Sequence, residues 1–140
     1  MNQKNIELIY TINHYTTALM KIWSDEFPHR ISISALLVLG ELRDKGPQKQ
    51  SDMAHFLNVT PGAMTNIATI IVRENYAERI YDKNDRRITR LAITAAGEIA
   101  LKEASELDTR VNTDVLGELT EAEKVQFLEL FNKLNRKIHL

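Results

Sequence analysis

Asp85, Arg86 and Arg87 close a polar run, Asp82-Lys83-Asn84-Asp85-Arg86-Arg87, that stands between two stretches rich in β-branched and aromatic side chains. A guanidinium stays charged at any accessible pH and offers a planar fork of donors matched to phosphate and carboxylate oxygens. Held at the tip of a β-hairpin, such a group can enter a narrow minor groove, where negative potential is concentrated. Asp85 is close enough in sequence to pair with Arg87 and fix its direction. An exposed ion pair adds little to stability, so its value would lie in aiming.

A second candidate lies upstream. Thr60-Pro61 opens a helix on which Met64, Ile67, Ala68 and Ile71 recur at three- and four-residue spacing, which assigns them to one inward face. Pro61, Gly62, Thr65, Asn66 and Thr69 fall on the opposite face, small and uncharged. Such residues let a helix approach base edges closely, and Asn and Thr carry groups suited to adenine and to the thymine methyl. Thr60 at the cap and Arg73 near the helix end join the same candidate contact set. Each feature has a plainer explanation, a solvated helix face in one case and a solvated charge run in the other. Their order favours DNA: helix, turn, helix and basic hairpin place one helix in a major groove and an arginine-tipped wing beside it.

The elements that must hold these groups are marked by local signals. Ile6 to Phe27 predicts a long helix with two apolar stripes, Ile6, Ile9, Thr16, Met20, Trp23 and Phe27 on one, and Leu8, Ile12, Tyr15, Leu19 and Ile22 on the other. A surface helix of a monomer needs one stripe; the second belongs either to a helix central to its own core or to a second subunit. Pro28 breaks the helix. A second helix is expected from Ser34 to Asp44, with Leu36, Leu37, Leu39 and Leu42 apolar, ended by Lys45-Gly46-Pro47, where glycine takes a left-handed cap. Ser51 is the expected N-cap of a short third helix through Leu57, with Met53, Ala54 and Leu57 inward and Asn58 in the left-handed turn. Thr60 caps the fourth helix, Pro61 occupies its first position, and Asn75 follows its end at Glu74. Ala77 to Tyr81 and Thr89 to Ile93 read as the hairpin strands. Thr94 begins a long helix to Leu116, with Ile99, Leu107, Val111 and Val115 apolar, and Thr120 with Glu123 forms a capping box for a last helix to Ile138. On that helix Phe127, Leu128, Phe131, Leu134 and Ile138 share one side.

Composition narrows the function classes. At 140 residues and 44% hydrophobic, the chain supports one respectable core. It has no cysteine, which excludes disulfides, thiol sensing and cysteine-based zinc sites. The net charge of −1 argues against indiscriminate polyanion binding. Between Arg43 and Arg90, however, nine basic residues face six acidic, while from Leu91 to Leu140 six basic face nine acidic. The basic excess thus sits where DNA would. No signal-peptide core or membrane-length apolar run is visible, which predicts a cytoplasmic protein without membrane association. No phosphate-binding glycine loop, Ser-His-Asp grouping or nucleotide fingerprint is present, so catalysis and cofactors are not expected. His14, His29, His55 and His139 are far apart and no two share a helix face at a spacing of four. A metal site of histidines and carboxylates across a dimer is left open, though a lone satisfied histidine is the commoner case.

Gly46-Pro47, the run Asn58-Val59-Thr60-Pro61-Gly62-Ala63-Met64-Thr65-Asn66, the wing run from Asp82 to Arg87, and Ile93-Thr94-Ala95-Ala96-Gly97 together resemble the multiple-antibiotic-resistance regulator (MarR) family. The likeness covers roughly Ile31 to Gly97. It implies a mainly α fold with a small β-hairpin wing, a winged helix-turn-helix with long N- and C-terminal dimerisation helices. Residues 1–140 would form one domain, with 31–97 as the DNA-binding part and 1–28 and 98–140 as the helical dimerisation part. The implied function is a homodimeric repressor that binds near-palindromic double-stranded DNA and is released by a small aromatic or amphipathic effector. Tyr15, Trp23 and Phe27 are the expected ligand-lining side chains. Three positions depart from the family pattern: Ile70 stands where a charged or polar residue is common, Lys83 where proline is, and Ile93 where leucine is. The first removes a phosphate contact and suggests weaker or differently oriented DNA binding. The competing reading is a winged-helix adaptor that binds protein and has little DNA affinity, since fold does not fix function.

Overall fold

Local capping chemistry sets most helix boundaries in the computed structural model, which describes residues 2–138. Among these residues the chain falls into two compact units, Phe27–Glu106 and the segments flanking it. Element order is α1 (Gln3–Glu26), α2 (Ile33–Lys45), β1 (Gln48–Lys49), α3 (Gln50–Leu57), α4 (Pro61–Arg73), β2 (Ala77–Tyr81), β3 (Thr89–Ile93), α5 (Ala95–Leu116) and α6 (Glu121–Asn135). The architecture is the expected mainly helical winged helix-turn-helix, with one addition.

That addition is β1. The two residues Gln48 and Lys49 pair antiparallel with Leu91 and Arg90, so the wing is a three-stranded sheet in the order β1-β3-β2 with β3 central. A two-residue strand carries no alternation for a sequence pattern to show. The hairpin has the expected limits, with Ala77 opposite Ile93 and Tyr81 opposite Thr89.

The pairing of β1 also corrects the start of α3. Ser51 does not cap it; the helix begins two residues earlier than that cap would place it, at Gln50, and Lys49 occupies the cap position with no side-chain hydrogen bond. Its extended backbone is already fixed by the ladder to Arg90, so no side-chain acceptor is needed to turn the chain. Elsewhere side chains do the work. Ser32 caps α2 by accepting from the Ala35 N–H, which starts the helix at Ile33, one residue before the expected Ser34, and Thr60 caps α4 by accepting from the Ala63 N–H. Asn58 and Asn75 hold positive φ angles of 54° and 65°, a region asparagine tolerates better than most residues. Gly46 has φ 77° but ψ −168°. That is the glycine-only extended region and not the expected left-handed cap.

The core of this unit is built by Val38, Leu39 and Leu42 of α2, Met53 of α3, Met64, Ala68 and Ile71 of α4, and Leu91 of β3, with Ile67 and Leu57 packed partly against it. Leu37, expected among the apolar positions of α2, is 51% exposed. Thr94 ties the unit together at its far end. Its hydroxyl donates to the Asn75 carbonyl at 2.6 Å and accepts from the Gly97 N–H, capping α5, while its own N–H donates to the Tyr76 carbonyl at 3.1 Å. Gly97 lies against that carbonyl with no room for a side chain.

The other unit contains α1, the later part of α5, and α6. Glu26 and Arg110 are paired at 2.7 Å, and Leu107 and Val111 of α5 are buried. In the earlier part of α5, which belongs to the winged unit, the apolar Ile99 is exposed and its neighbour Ala100 is buried. The capping box of α6 forms as expected, Thr120 and Glu123 each accepting from the other's backbone N–H. Donation from the Thr120 backbone N–H first, and then from its side chain, holds the Glu123 carboxyl below its ordinary range. The helix stops at Asn135 and not at Ile138, because the last N–H groups bond three residues back and tighten into a turn. Neither α1 nor α6 buries a single residue. Leu8, Ile9, Ile12 and Met20 on α1 and Leu128, Leu130 and Leu134 on α6 all stand exposed.

Candidate nucleic-acid interface

The wing tip is organised by two aspartates. Asp82 accepts from the backbone N–H groups of Asn84 and Asp85 at 2.8 and 3.3 Å, and the Asp82 and Ile88 backbones close the loop through Ile88 O and Asp85 O. Asp85 then receives Arg87 three times, from its backbone N–H, its Nε–H and its Nη2–H, each at 3.0 Å. The fork is bidentate, the geometry that fixes an arginine's direction as well as its position. Arg87 holds the Asp85 carboxyl below its usual range, and the carboxylate raises the guanidinium in turn. The Arg87 side chain is nonetheless 90% exposed. Arg86 and Lys83 are exposed and form no ion pair among the described residues.

On α4 the inward and outward faces divide as expected. Met64, Ala68 and Ile71 are fully buried and Ile67 partly so, while Pro61, Gly62, Thr65, Asn66 and Thr69 are exposed. Thr60 spends its hydroxyl oxygen on the cap. Thr65 and Thr69 donate their hydroxyl protons back to the Pro61 and Thr65 carbonyls at 2.9 and 2.8 Å. Arg73 lies at the helix end with its Nε on the neighbouring Glu74 carboxylate at 3.3 Å. Ile70 is partly exposed.

Two polar groupings were not visible in the sequence. Arg79 of β2 donates from Nη1 to Gln50 Oε1 at 3.2 Å, and Gln50, the first residue of α3, donates from Nε2 to Thr65 Oγ1 at 3.0 Å. A strand, the first helix of the pair and the second are thereby linked on the outer side of the unit. The other grouping centres on His29, whose Nδ1 lies 2.8 Å from Tyr76 Oη and whose Nε2 lies 2.6 Å from Glu103 Oε2. Burial first, then Glu74 and Glu103, push the Tyr76 phenol up. No spacing rule connects residues this far apart in the chain.

Of the expected ligand-lining residues, Tyr15 is exposed on α1, Trp23 is half-buried on the same helix, and Phe27, half-buried, opens the other unit beside the His29 ring at 5.3 Å. Among the described residues no group of three or more histidines, aspartates or glutamates could hold a metal ion; His139 lies outside them. No helix among them is long and apolar enough to cross a membrane.

The family model for MarR matches residues 31–89. Over 107 residues, 76% of each chain, this sequence is 34% identical to an uncharacterised HTH-type transcriptional regulator, YpoP, of Bacillus subtilis strain 168. The chain belongs to the MarR family. A second relative of this MarR-family transcriptional regulator, the HTH-type transcriptional repressor MdtR of the same organism, is 30% identical over 104 residues, covering 74% of this chain and 67% of its own. In solved structures the fold recurs in the YusO protein from Bacillus subtilis, with a TM-score of 0.79, 26% identity, and coverage of 97% of this chain and 99% of that one. The family match ends inside the wing, at the start of β3, so it takes in both helices of the pair and the Asp85–Arg87 fork.

Proposed function

We propose that this chain is a homodimeric repressor that inserts α4 into the major groove of a near-palindromic operator and Arg87 into the adjacent minor groove. The observation that carries the DNA reading is the Asp85–Arg87 fork: a bidentate pair on an otherwise free wing tip, its guanidinium almost wholly in solvent. A charge held this way has no packing role in the unit and points away from it. Thr60, Pro61, Gly62, Thr65, Asn66 and Thr69 on α4, with Arg73 and Arg86, make up the rest of the proposed contact set. Repression is supported by the name of one relative, MdtR.

The dimer is supported by α1 and α6. Helices that bury no residue fully within their own chain, yet carry leucine, isoleucine and phenylalanine on their surfaces, present an apolar area far larger than scattered surface residues explain. A second copy is the covering partner that the doubled stripe of α1 fits, and it would set the spacing of two α4 helices about one helical turn of DNA apart. An effector, in this reading an aromatic or amphipathic molecule, must favour a dimer state with wrongly spaced helices, because equal affinity for both states shifts nothing. The protein would act in the cytoplasm.

Selection of bound sequences from random DNA, with sedimentation of the same preparation, tests the proposal. A palindrome and a dimer are expected, with affinity falling steeply as salt rises, by about 0.9 log units per log unit of salt for each phosphate neutralised. A dimer that binds no DNA at low salt would instead favour the adaptor reading, for which the exposed Ile70 on α4 speaks.

A further inference from the structure

The bonds from Arg79 through Gln50 to Thr65 run in one direction only. A guanidinium has donors and no acceptor, so the Gln50 atom facing Arg79 must be its oxygen. That leaves the amide nitrogen, a donor, for Thr65, whose hydroxyl oxygen must accept. The Thr65 hydroxyl proton lies on the Pro61 carbonyl, 2.9 Å away, the back-bond that Thr69 also makes, and what Gln50 adds is a donor that holds the hydroxyl oxygen in place. Chemistry, and not an arbitrary choice of amide flip, fixes every orientation in the chain.

We propose that Gln50 is a positioning residue for base recognition, holding the Thr65 side chain so that it shows DNA a methyl group and an acceptor but no proton. This rests on the reading of α4 as the helix that enters the major groove. A threonine so held can accept from an exocyclic amino group and pack against the thymine methyl, a combination that an A·T pair offers and a G·C pair does not. It cannot donate to the O6 or N7 of guanine. Left free, the same hydroxyl could rotate and donate to either, and the discrimination would weaken. Thr65 is thus less a general polar contact than a fixed reader, and its setting is chosen by a residue of the preceding helix and an arginine of the wing strand.

The test compares base preferences of full-length wild type, Gln50→Leu, Gln50→Glu, Thr65→Val and the double variant Gln50→Leu/Thr65→Val by selection from random DNA at fixed salt. Gln50→Leu removes both bonds; Gln50→Glu keeps an acceptor for Arg79 but withdraws the donor from Thr65. Both should reduce A·T preference at one symmetric pair of operator positions by about fivefold, the worth of one hydrogen bond, and leave the other positions unchanged. Thr65→Val should act at that same position, and the double variant should differ little from Thr65→Val alone. Equal profiles for wild type and both Gln50 variants, or effects of Gln50→Leu and Thr65→Val that add in full, would overturn the assignment while leaving DNA binding intact. A wild type with no sequence preference at all would instead overturn the recognition-helix reading on which it depends. Melting temperatures of the variants, read in parallel, identify any change that reflects loss of fold, in which case Gln50→Glu alone decides.

Discussion

Replacing Gly97 with alanine should destabilise the protein, although alanine is the better helix former. A Cβ built at this position lies 2.2 Å from the Tyr76 carbonyl oxygen and 2.7 Å from Ile93 Cγ1, where ordinary contact starts near 3.4 Å. The Ile93 side chain can turn aside; the carbonyl cannot. It is pinned by the Thr94 N–H and belongs to the junction where α4 hands the chain to β2, so relief means moving α5 off that junction by more than an ångström. Overpacking of this kind costs about 1–3 kcal/mol. Loss of the Thr94 bond adds about 1 kcal/mol, and the gain in helix propensity returns at most about 1 kcal/mol. The net cost is about 1–3 kcal/mol, equivalent to a fall in melting temperature of roughly 3–10 °C for a chain of this size. Gly40 supplies the control, since an added Cβ there meets nothing within 4 Å, and Gly40→Ala should stabilise by up to about 1 kcal/mol. Urea unfolding of the three proteins at one protein concentration measures both differences. A Gly97→Ala protein as stable as wild type, or more so, would show that α5 does not press on the Tyr76 carbonyl as described.

Arg87→Ala should weaken operator binding by about 5- to 150-fold, with a smaller loss on random DNA; equal affinities in a gel-shift titration at fixed salt would remove the wing from the account. Because Arg87 depresses the folded-state pKa of Asp85, the pair's contribution is present above the ordinary carboxylate range and lost only as pH falls through the lowered value. Wing-dependent affinity, the difference between wild type and Arg87→Ala, should therefore stay flat from about pH 5 to 8, and a change across that window would contradict the fork. Met64, with no exposed surface at the centre of the helix pair, should cost about 2–5 kcal/mol when cut to alanine, read as a lower urea midpoint with an unchanged slope.

What the sequence made legible here was local. The hairpin limits, the Thr60-Pro61 start, the Thr120–Glu123 box and the left-handed Asn58 and Asn75 each depend on side chains within a few residues of the backbone they shape. The Asp85–Arg87 pair belongs to the same class. The misses have the opposite origin. Lys49 serves as a helix cap only because β3 fixes its backbone from 41 positions away, and no capping rule anticipates that. Gln50 and Arg79 meet across |i−j| of 29, and His29 and Glu103 across 74, separations that only the tertiary fold brings together. Ile99 shows a third kind of difference, because being apolar does not decide which way a residue of a long helix faces. The packing instead chose Ala100, the smaller neighbour, for the buried place.

The chain's one tryptophan, Trp23, sits on α1 and therefore outside the winged unit, which contains none. Native indole emission consequently originates in the helical unit. Comparing it with far-ultraviolet circular dichroism, to which every helix contributes, would reveal whether the two parts melt in step, with no dye attached.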